Sequence, residues 1–286
     1  MRDVVREFVG SRVAAAAALG LALIVLVALF APWIAPQNPY DLARLNLLDA
    51  RLPPGSASGP HSTYLLGTDG QGRDMLSAIL YGLRVSLMVG AASGLIALAL
   101  GGIVGVVAAY AGGRVEQLLM RVVDIQLGFP AILVALILIA VLGKGVDKII
   151  IALVCVQWAY YARTARSAAV VERNKEYVDA ARSLGFSHAR IVLRHLLPNA
   201  VPPLIVVGTV QVAHAIALEA TLSFLGLGLP ITEPSLGLLI ANGYEYLLSG
   251  RYWISFYPGV ALLLTILSIN LVGDRLRDQL NPRLAR

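Results

Sequence analysis

The sequence predicts an all-α integral membrane protein with six spanning helices, and three observations carry that reading. Apolar residues make up 58% of the 286 positions and charged residues 14%, with a mean hydropathy of +0.75, whereas a soluble chain is about a quarter charged. Six apolar segments stand out, near 13–34, 85–110, 125–142, 149–170, 200–225 and 255–273, most reaching the roughly 20 residues that cross hydrocarbon. With both termini inside, 16 of the 23 Lys and Arg residues fall on the inner side: Arg2, Arg6, Arg12, Arg114, Arg121, the seven between Arg163 and Arg194, Arg275, Arg277, Arg283 and Arg286. The positive-inside rule orients the chain accordingly. The excess is spread over loops rather than gathered in one stripe, so the basic pI of about 9.6 calls for a membrane and not for nucleic acid.

The first apolar run, of about twenty residues, exceeds the usual 7–15 of a signal-peptide core and reads as an uncleaved helix. After it, the Pro-, Gly- and Ser-rich stretch from Ala35 to Gly82, with Pro53-Pro-Gly-Ser-Ala-Ser-Gly-Pro60 at its centre, reads as an external loop. It ends in Leu65-Leu-Gly-Thr-Asp-Gly-Gln-Gly-Arg-Asp74, where glycines permit tight turns and Asp74 can cap the next helix. Asp69 and Asp74 lack the alternating ligand spacing of a calcium loop.

In the second segment Gly90, Gly94, Gly101 and Gly105 fall within an arc of roughly 60° and form two small-xxx-small pairs, a face that lets another helix approach. The fourth segment is the weakest. Its uninterrupted apolar part stops near Tyr161, so it spans only by continuing through Arg163 and Arg166, which then lie at the cytoplasmic boundary. Cys155 within it is the single cysteine, which excludes an intrachain disulfide and a Cys-based metal site.

His214 and Glu219 lie in the fifth segment, where an ionisable group is costly and marks a candidate site. Five residues apart, they differ by about 140° around a helix and form no relay on one face. The expectation is that Glu219 sits near the outer boundary, hydrated or paired, that His214 hydrogen-bonds inside the bundle, and that both are candidates for the translocation path or outer gate.

Between the fourth and fifth segments lies a polar, basic stretch, Glu176 to Asn199. Tyr177, Ala180, Ala181 and Leu184 fall at i, i+3, i+4 and i+7, predicting a short amphipathic helix with Glu176, Asp179 and Ser183 on another face. Gly185 sits where a left-handed C-cap is needed, and Ser187 can cap a second helix whose stripe Ala189, Val192, Leu193 and Leu196 runs up to Pro198. The result is a compact knob at the membrane surface.

Soluble-enzyme motifs are missing. Gly143-Lys-Gly145 lacks the spacing and the Ser or Thr of a phosphate loop, no His-Glu-x-x-His occurs, and Gly55-Ser-Ala-Ser-Gly59 has alanine at the nucleophile position. No catalytic residue is expected here, and any use of ATP must come from a partner.

Asp179-Ala-Ala-x3-Gly185, nine further residues, then His195-Leu-Leu-Pro198 resembles the EAA loop of type I ABC importer permeases, E-A-A-x3-G-x9-I-x-L-P, with Asp for Glu and His195 for Ile. The flanking blocks resemble the second permease subunit of the dipeptide/oligopeptide importer family. They are Leu66-Gly-Thr-Asp-Gly-Gln-Gly-Arg-Asp74, Gly82-Leu-Arg-Val-Ser-Leu87, Glu219-Ala-Thr-Leu-Ser-Phe-Leu-Gly-Leu-Gly228, Pro234-Ser-Leu-Gly237, and Asn270-Leu-Val-Gly-Asp-Arg-Leu-Arg-Asp278 followed by Pro282-Arg283. Departures are Leu236, where the family often has Trp, and Gly250-Arg-Tyr before Trp253.

The resemblance implies the type I ABC importer permease fold: an N-terminal helix and extracytoplasmic loop over 1–83, a permease core over 84–274, and a cytoplasmic tail over 275–286. It implies a heterodimer with a homologous permease, two cytoplasmic ATPases holding ATP and Mg, and an extracytoplasmic solute-binding protein, in a bacterial or archaeal cell membrane. Coupling to the ATPases would fall to Glu176, Asp179, Ala180, Ala181, Gly185, Leu197 and Pro198. Two other classes stay open. A secondary transporter would need paired broken helices and ion-binding charges, and an intramembrane serine protease would need more than Ser93-Gly94 with His214. Related systems carry dipeptides, oligopeptides, nickel chelates, glutathione or opines, and the sequence does not choose among them.

Overall fold

The computed structural model describes residues 11–41, 45–57 and 63–280. Arg2, Arg6, Arg44, Arg283 and Arg286 of the charge count, Ser58 to Pro60 of the external loop, and Pro282 lie outside the described residues.

Helix α1 (Arg12–Leu29) starts at Ser11, whose hydroxyl accepts from the Ala14 amide, and is followed by the short α2 (Ala31–Ile34). The outer segment is clamped rather than loose. A two-residue hairpin, β1 (Ser56–Ala57) with β2 (Thr63–Tyr64), leads into a turn where Thr68 Oγ1 donates to the Asp49 carbonyl at 2.5 Å and accepts from the Leu52 amide at 2.8 Å. Asp69 accepts from Arg73 Nε at 2.7 Å, both side chains being buried, and the Trp253 indole donates to the Thr68 carbonyl at 3.2 Å.

Asp74 caps α3 (Met75–Ala111), accepting from the Ser77 amide at 2.8 Å and its hydroxyl at 2.6 Å. At 37 residues α3 is about 55 Å long, well beyond a 30 Å hydrocarbon core. The expected boundary at 83/84 therefore falls inside one helix.

The third segment is not one helix. It is α4 (Gly113–Gly128) and α5 (Ala131–Leu142), bent 90° at the break. Pro130 explains the break: it has no amide to donate and forces Phe129 into extended backbone, φ −90° and ψ 140°. Helix α4 takes in the charged stretch from Arg114 to Asp124 that the hydropathy reading left outside.

Helix α6 (Val146–Arg173) does continue through both arginines. They are not bare at a boundary: Arg163 pairs with Asp124 at 2.5 Å, and Arg166 Nε donates to Glu116 at 2.7 Å, so α4 supplies the carboxylates. Among the described residues, four helices are long and apolar enough to cross a membrane, or five if the bent α4–α5 pair is one span. The expected six is reached only by adding α6, whose 28 residues give the length but whose arginines dilute its apolarity.

Beyond α6 come α7 (Glu176–Ser183), α8 (His188–Ile191), a π-helical turn (Val192–Leu196) and α9 (Leu197–Phe224). Pro198 does not end the second helix of the knob. The Leu197 amide reaches back five residues to the Val192 carbonyl, and this widened turn relieves the clash a proline ring makes with the carbonyl four residues earlier. The knob's second helix is thus continuous with the N-terminal end of the fifth span. Helix α10 (Leu236–Tyr244), capped by Ser235, was not anticipated; it folds back between α9 and α11 (Trp253–Leu280). Helix α11 carries the expected tail from 275 as far as Leu280.

The glycines of α3 set the packing. A Cβ at Gly101 would lie 2.2 Å from the Trp158 carbonyl and one at Gly105 2.3 Å from that of Ala162, both on α6. At Gly90 and Gly94 it would meet Ile216 at 2.6 Å and Val212 at 2.9 Å, both on α9. The face is shared between two partners.

Candidate functional site

The knob is built on local rules. Glu176 and Asp179 lie in the first turn of α7 and Arg182 in the last, each sign matching its end of the helix dipole. Gly185 closes the helix at φ +72°; its amide donates to the Arg182 carbonyl and that of Phe186 to Ala181, the paired bonds of a left-handed glycine cap. Ser187 then accepts from the Arg190 amide at 3.4 Å.

The faces of α7 differ from the predicted stripe. Val178 and Ala181 are buried, Ala181 at 4% exposure, whereas Tyr177, Ala180 and Leu184 point outward, Leu184 at 73%. In the second half Ile191 and Leu196 are the inward residues, and Leu193 and Ala189 are exposed. The inward set packs with Val106 and Ala109 of α3 and Ala165 and Ala169 of α6. The i, i+4 pattern found the right period and, in Ala181, Val192 and Leu196, part of the buried face, but the rest of the stripe is turned outward because small and apolar residues line both sides of α7.

Polar contacts tie the knob to the bundle. The Tyr110 hydroxyl lies 2.5 Å from His188 Nδ1, the Arg182 guanidinium stands 5.7 Å from the centre of the Tyr110 ring, and Arg173 donates to the Ala109 carbonyl at 2.5 Å. His195, at the departure from the family pattern, stacks on Phe186 with rings 11° apart and flanks Tyr177. Tyr177 donates to Glu172 at 2.6 Å; desolvation, reinforced by that bond, pushes its hydroxyl up to about 12, so it stays a donor at physiological pH. Asn199 bridges the Tyr177 oxygen and the His195 carbonyl at 3.3 and 2.7 Å. Leu197 and Pro198 sit directly above, in the first turn of α9.

At the other end of α9, Glu219 is wholly buried rather than hydrated. It accepts from Ser86 of α3 at 2.9 Å and Ser223 of its own helix at 2.8 Å, and Ser235, the cap of α10, adjoins the same carboxylate. Burying a charge-bearing group demands such donors. His214 also departs from expectation: it is exposed, on a cavity of about 830 Å³ shared with Tyr160, Thr164, Gln211, Asp274 and Arg277. The two residues make no contact with each other. Ser86 and the Tyr110–His188 link join elements far apart in sequence and leave no local trace, whereas Ser223, four residues after Glu219 on the same helix, is a local signal that the carboxylate has a partner.

A bundle of membrane-length helices, with a largely apolar cavity that presents His214, Gln211 and Arg277 along one helix and an amphipathic element continuous with that helix at its end, fits the membrane subunit of a transporter. Residues 101–286 match the family model for the binding-protein-dependent transport system inner membrane component, and residues 1–54 match the N-terminal TM domain of oligopeptide transport permease C. The chain belongs to this family of ABC importer permeases. It is 38% identical over 284 residues to the di/tripeptide transport system permease protein DppC of Pseudomonas aeruginosa strain UCBPP-PA14, covering 99% of this chain and 92% of that one. It is 41% identical over 271 residues to the dipeptide transport system permease protein DppC of Escherichia coli K12, covering 94% and 89%. A crystal structure of the MetNI methionine ABC transporter in an inward-facing conformation aligns at TM-score 0.59 and 23% identity, covering 72% of this chain and 97% of that chain, which establishes the type I permease fold. The other two classes gain no support: the Ser93 hydroxyl is buried and bonded to the Val89 carbonyl of its own helix at 2.7 Å.

Proposed function

We propose that this chain lines half of the path by which an ATP-driven importer carries peptides across a cell membrane, with both termini and the knob on the cytoplasmic side. The observation that carries this reading is the continuity of α8, the π turn and α9. A docked ATPase that moves the knob moves the same helix that presents His214 to the cavity. A rigid, small-residue knob suits docking into a groove on a partner, and its displacement suits helix motion.

Glu176, Asp179, Ala180, Gly185, Leu197 and Pro198 form the coupling element, with Ala180 rather than Ala181 facing the ATPase. ATP and Mg are held by the two ATPase subunits, and this chain performs no hydrolysis. A homologous permease supplies the other half of the path, and an extracytoplasmic binding protein delivers the solute. The names of the relatives and the buried Glu219 hub beneath the outer segment support a peptide solute and an outer gate at that hub; His214 lies on the path.

The test is reconstitution of the chain with its partner permease, both ATPases and the binding protein in proteoliposomes. ATP-dependent uptake of labelled di- or tripeptides is expected. Uptake driven by an ion gradient without ATP, or transport of nickel chelates with no peptide uptake, would overturn the reading.

A further inference from the structure

On the flank of the bundle away from His214, an apolar groove of about 750 Å³ runs between α1, α3, α9 and α11. Its long wall is one stripe of α3, in which Arg84, Leu87, Met88, Ala91, Leu95 and Leu98 recur at helical spacing. The facing wall is α9, at Gly208 and Val212, and the floor is the ring of Tyr161 beside Gly94. On α9, Val212 lies about 160° around the helix from His214, at 100° per residue, so the groove is not the cavity assigned to the solute.

Two features say what fills it. The first is the groove's shape. From Arg84 to Leu98 it extends about 21 Å at 1.5 Å per residue, a long strip lined by apolar side chains along which an extended hydrocarbon chain can lie. The length also exceeds the roughly 15 Å from headgroup level to the bilayer midplane. The second feature is Arg84. It stands at the end of the groove nearer the N-terminus of α3, is exposed, and makes no hydrogen bond or ion pair among the described residues. Tyr40 feels both Arg84 and Glu233 at longer range. A guanidinium at the end of a hydrocarbon slot matches an anionic phosphate, which it can hold by two parallel hydrogen bonds.

We propose that this groove is a phospholipid site, with one acyl chain laid along α3 and the lipid phosphate on Arg84. The lipid completes the packing of α1, which the bundle holds mainly through α11 and α3, and takes the place a side chain would fill at Gly208. Assigning it to the outer leaflet rests on the orientation proposed above; the site itself does not.

The experiment uses the whole complex, purified from membranes in mild detergent, washed, and examined by native mass spectrometry after exchange into phosphatidylglycerol–phosphatidylethanolamine nanodiscs and release. The wild type is expected to retain one phospholipid on this chain. Ala91→Trp, which fills the groove, should abolish retention, and Arg84→Gln should weaken it about tenfold, as loss of one charge-assisted contact predicts. Leu133→Trp on the exposed face of α5 should change nothing. If Ala91→Trp fails to assemble, Arg84→Gln decides alone. Equal retention by wild type and Arg84→Gln, or attachment of a photo-crosslinker at position 91 to the partner permease rather than to lipid, would overturn the proposal, whatever the solute imported.

Discussion

The hydroxyl of Tyr110, in the last turn of α3, lies 2.5 Å from Nδ1 of His188, the first residue of α8. One hydrogen bond therefore joins the knob to the helix that carries the packing glycines and, 24 residues earlier, Ser86, which donates to Glu219. Tyr110→Phe removes the bond and keeps the ring under Arg182. It should cost about 1 kcal/mol locally, leave ATPase copurification intact and lower the peptide uptake obtained per ATP hydrolysed. Unchanged uptake per ATP would assign the link to packing alone.

Ala180→Trp and Ala181→Trp should fail differently. Ala180 faces outward and Ala181 is buried against α3 and α6. A tryptophan at 180 blocks docking on a folded chain, so ATPase copurification falls while membrane abundance holds. At 181 overpacking costs about 1–3 kcal/mol or more, and abundance or protease resistance falls as well. Identical behaviour of the two would contradict the placement of these faces.

Gly185→Ala is a milder change. A Cβ there meets nothing within 4 Å, so the cost is the left-handed backbone alone, on the order of 1 kcal/mol. A modest drop in uptake with normal assembly is expected, and Gly185→Asn should recover part of it because Asn tolerates that conformation better.

Gly101→Leu should be far worse than Gly128→Leu. The first position faces a backbone carbonyl at 2.2 Å and the second open space. Membrane abundance of the two variants, measured in parallel, checks whether the α3–α6 contact holds the bundle together.

Glu219→Leu should remove the common acceptor of Ser86 and Ser223 and leave buried hydroxyls unpaired, a loss of about 1–3 kcal/mol per group. Thermal unfolding in detergent should fall while the ATPases still copurify, since Glu219 lies at the opposite end of α9 from the knob. Loss of ATPases from an otherwise folded complex would place Glu219 in coupling.

Orientation can be tested with single cysteines in a Cys155→Ser background. Ala57→Cys, in the outer hairpin, should react with an impermeant thiol reagent in intact cells, and Ser183→Cys, on the exposed face of α7, should react only after permeabilisation. The reverse pattern would invert the topology.

The sequence made legible whatever depends on neighbours along the chain. Asp74, Ser187 and Gly185 act as the caps their types and positions predict, because a cap is a contact within four residues. The break at Pro130 was readable by the same logic and was passed over because hydropathy averages across it. What stayed hidden depends on contacts distant in sequence. Arg163 and Arg166 look like a boundary until Asp124 and Glu116 are brought beside them, and whether Glu219 is hydrated or paired stays open until Ser86 reaches it from 133 residues away. Helix α10 carries a local signal in its Ser235 cap, but at 9 residues it is too short to stand out by hydropathy between two longer apolar runs.

The π turn at Val192–Leu196 holds one residue more than an α-helical turn would. The wider turn takes up that residue locally, so the helix keeps nearly the same facing on either side of it, and Ile191 and Leu196, five apart, both point inward. Deleting one residue there would close the turn to an ordinary α-helical one and press the Pro198 ring back against a carbonyl one turn earlier, at about 3 kcal/mol, so the deletion would show as strain at the base of α9 rather than as a re-aimed knob.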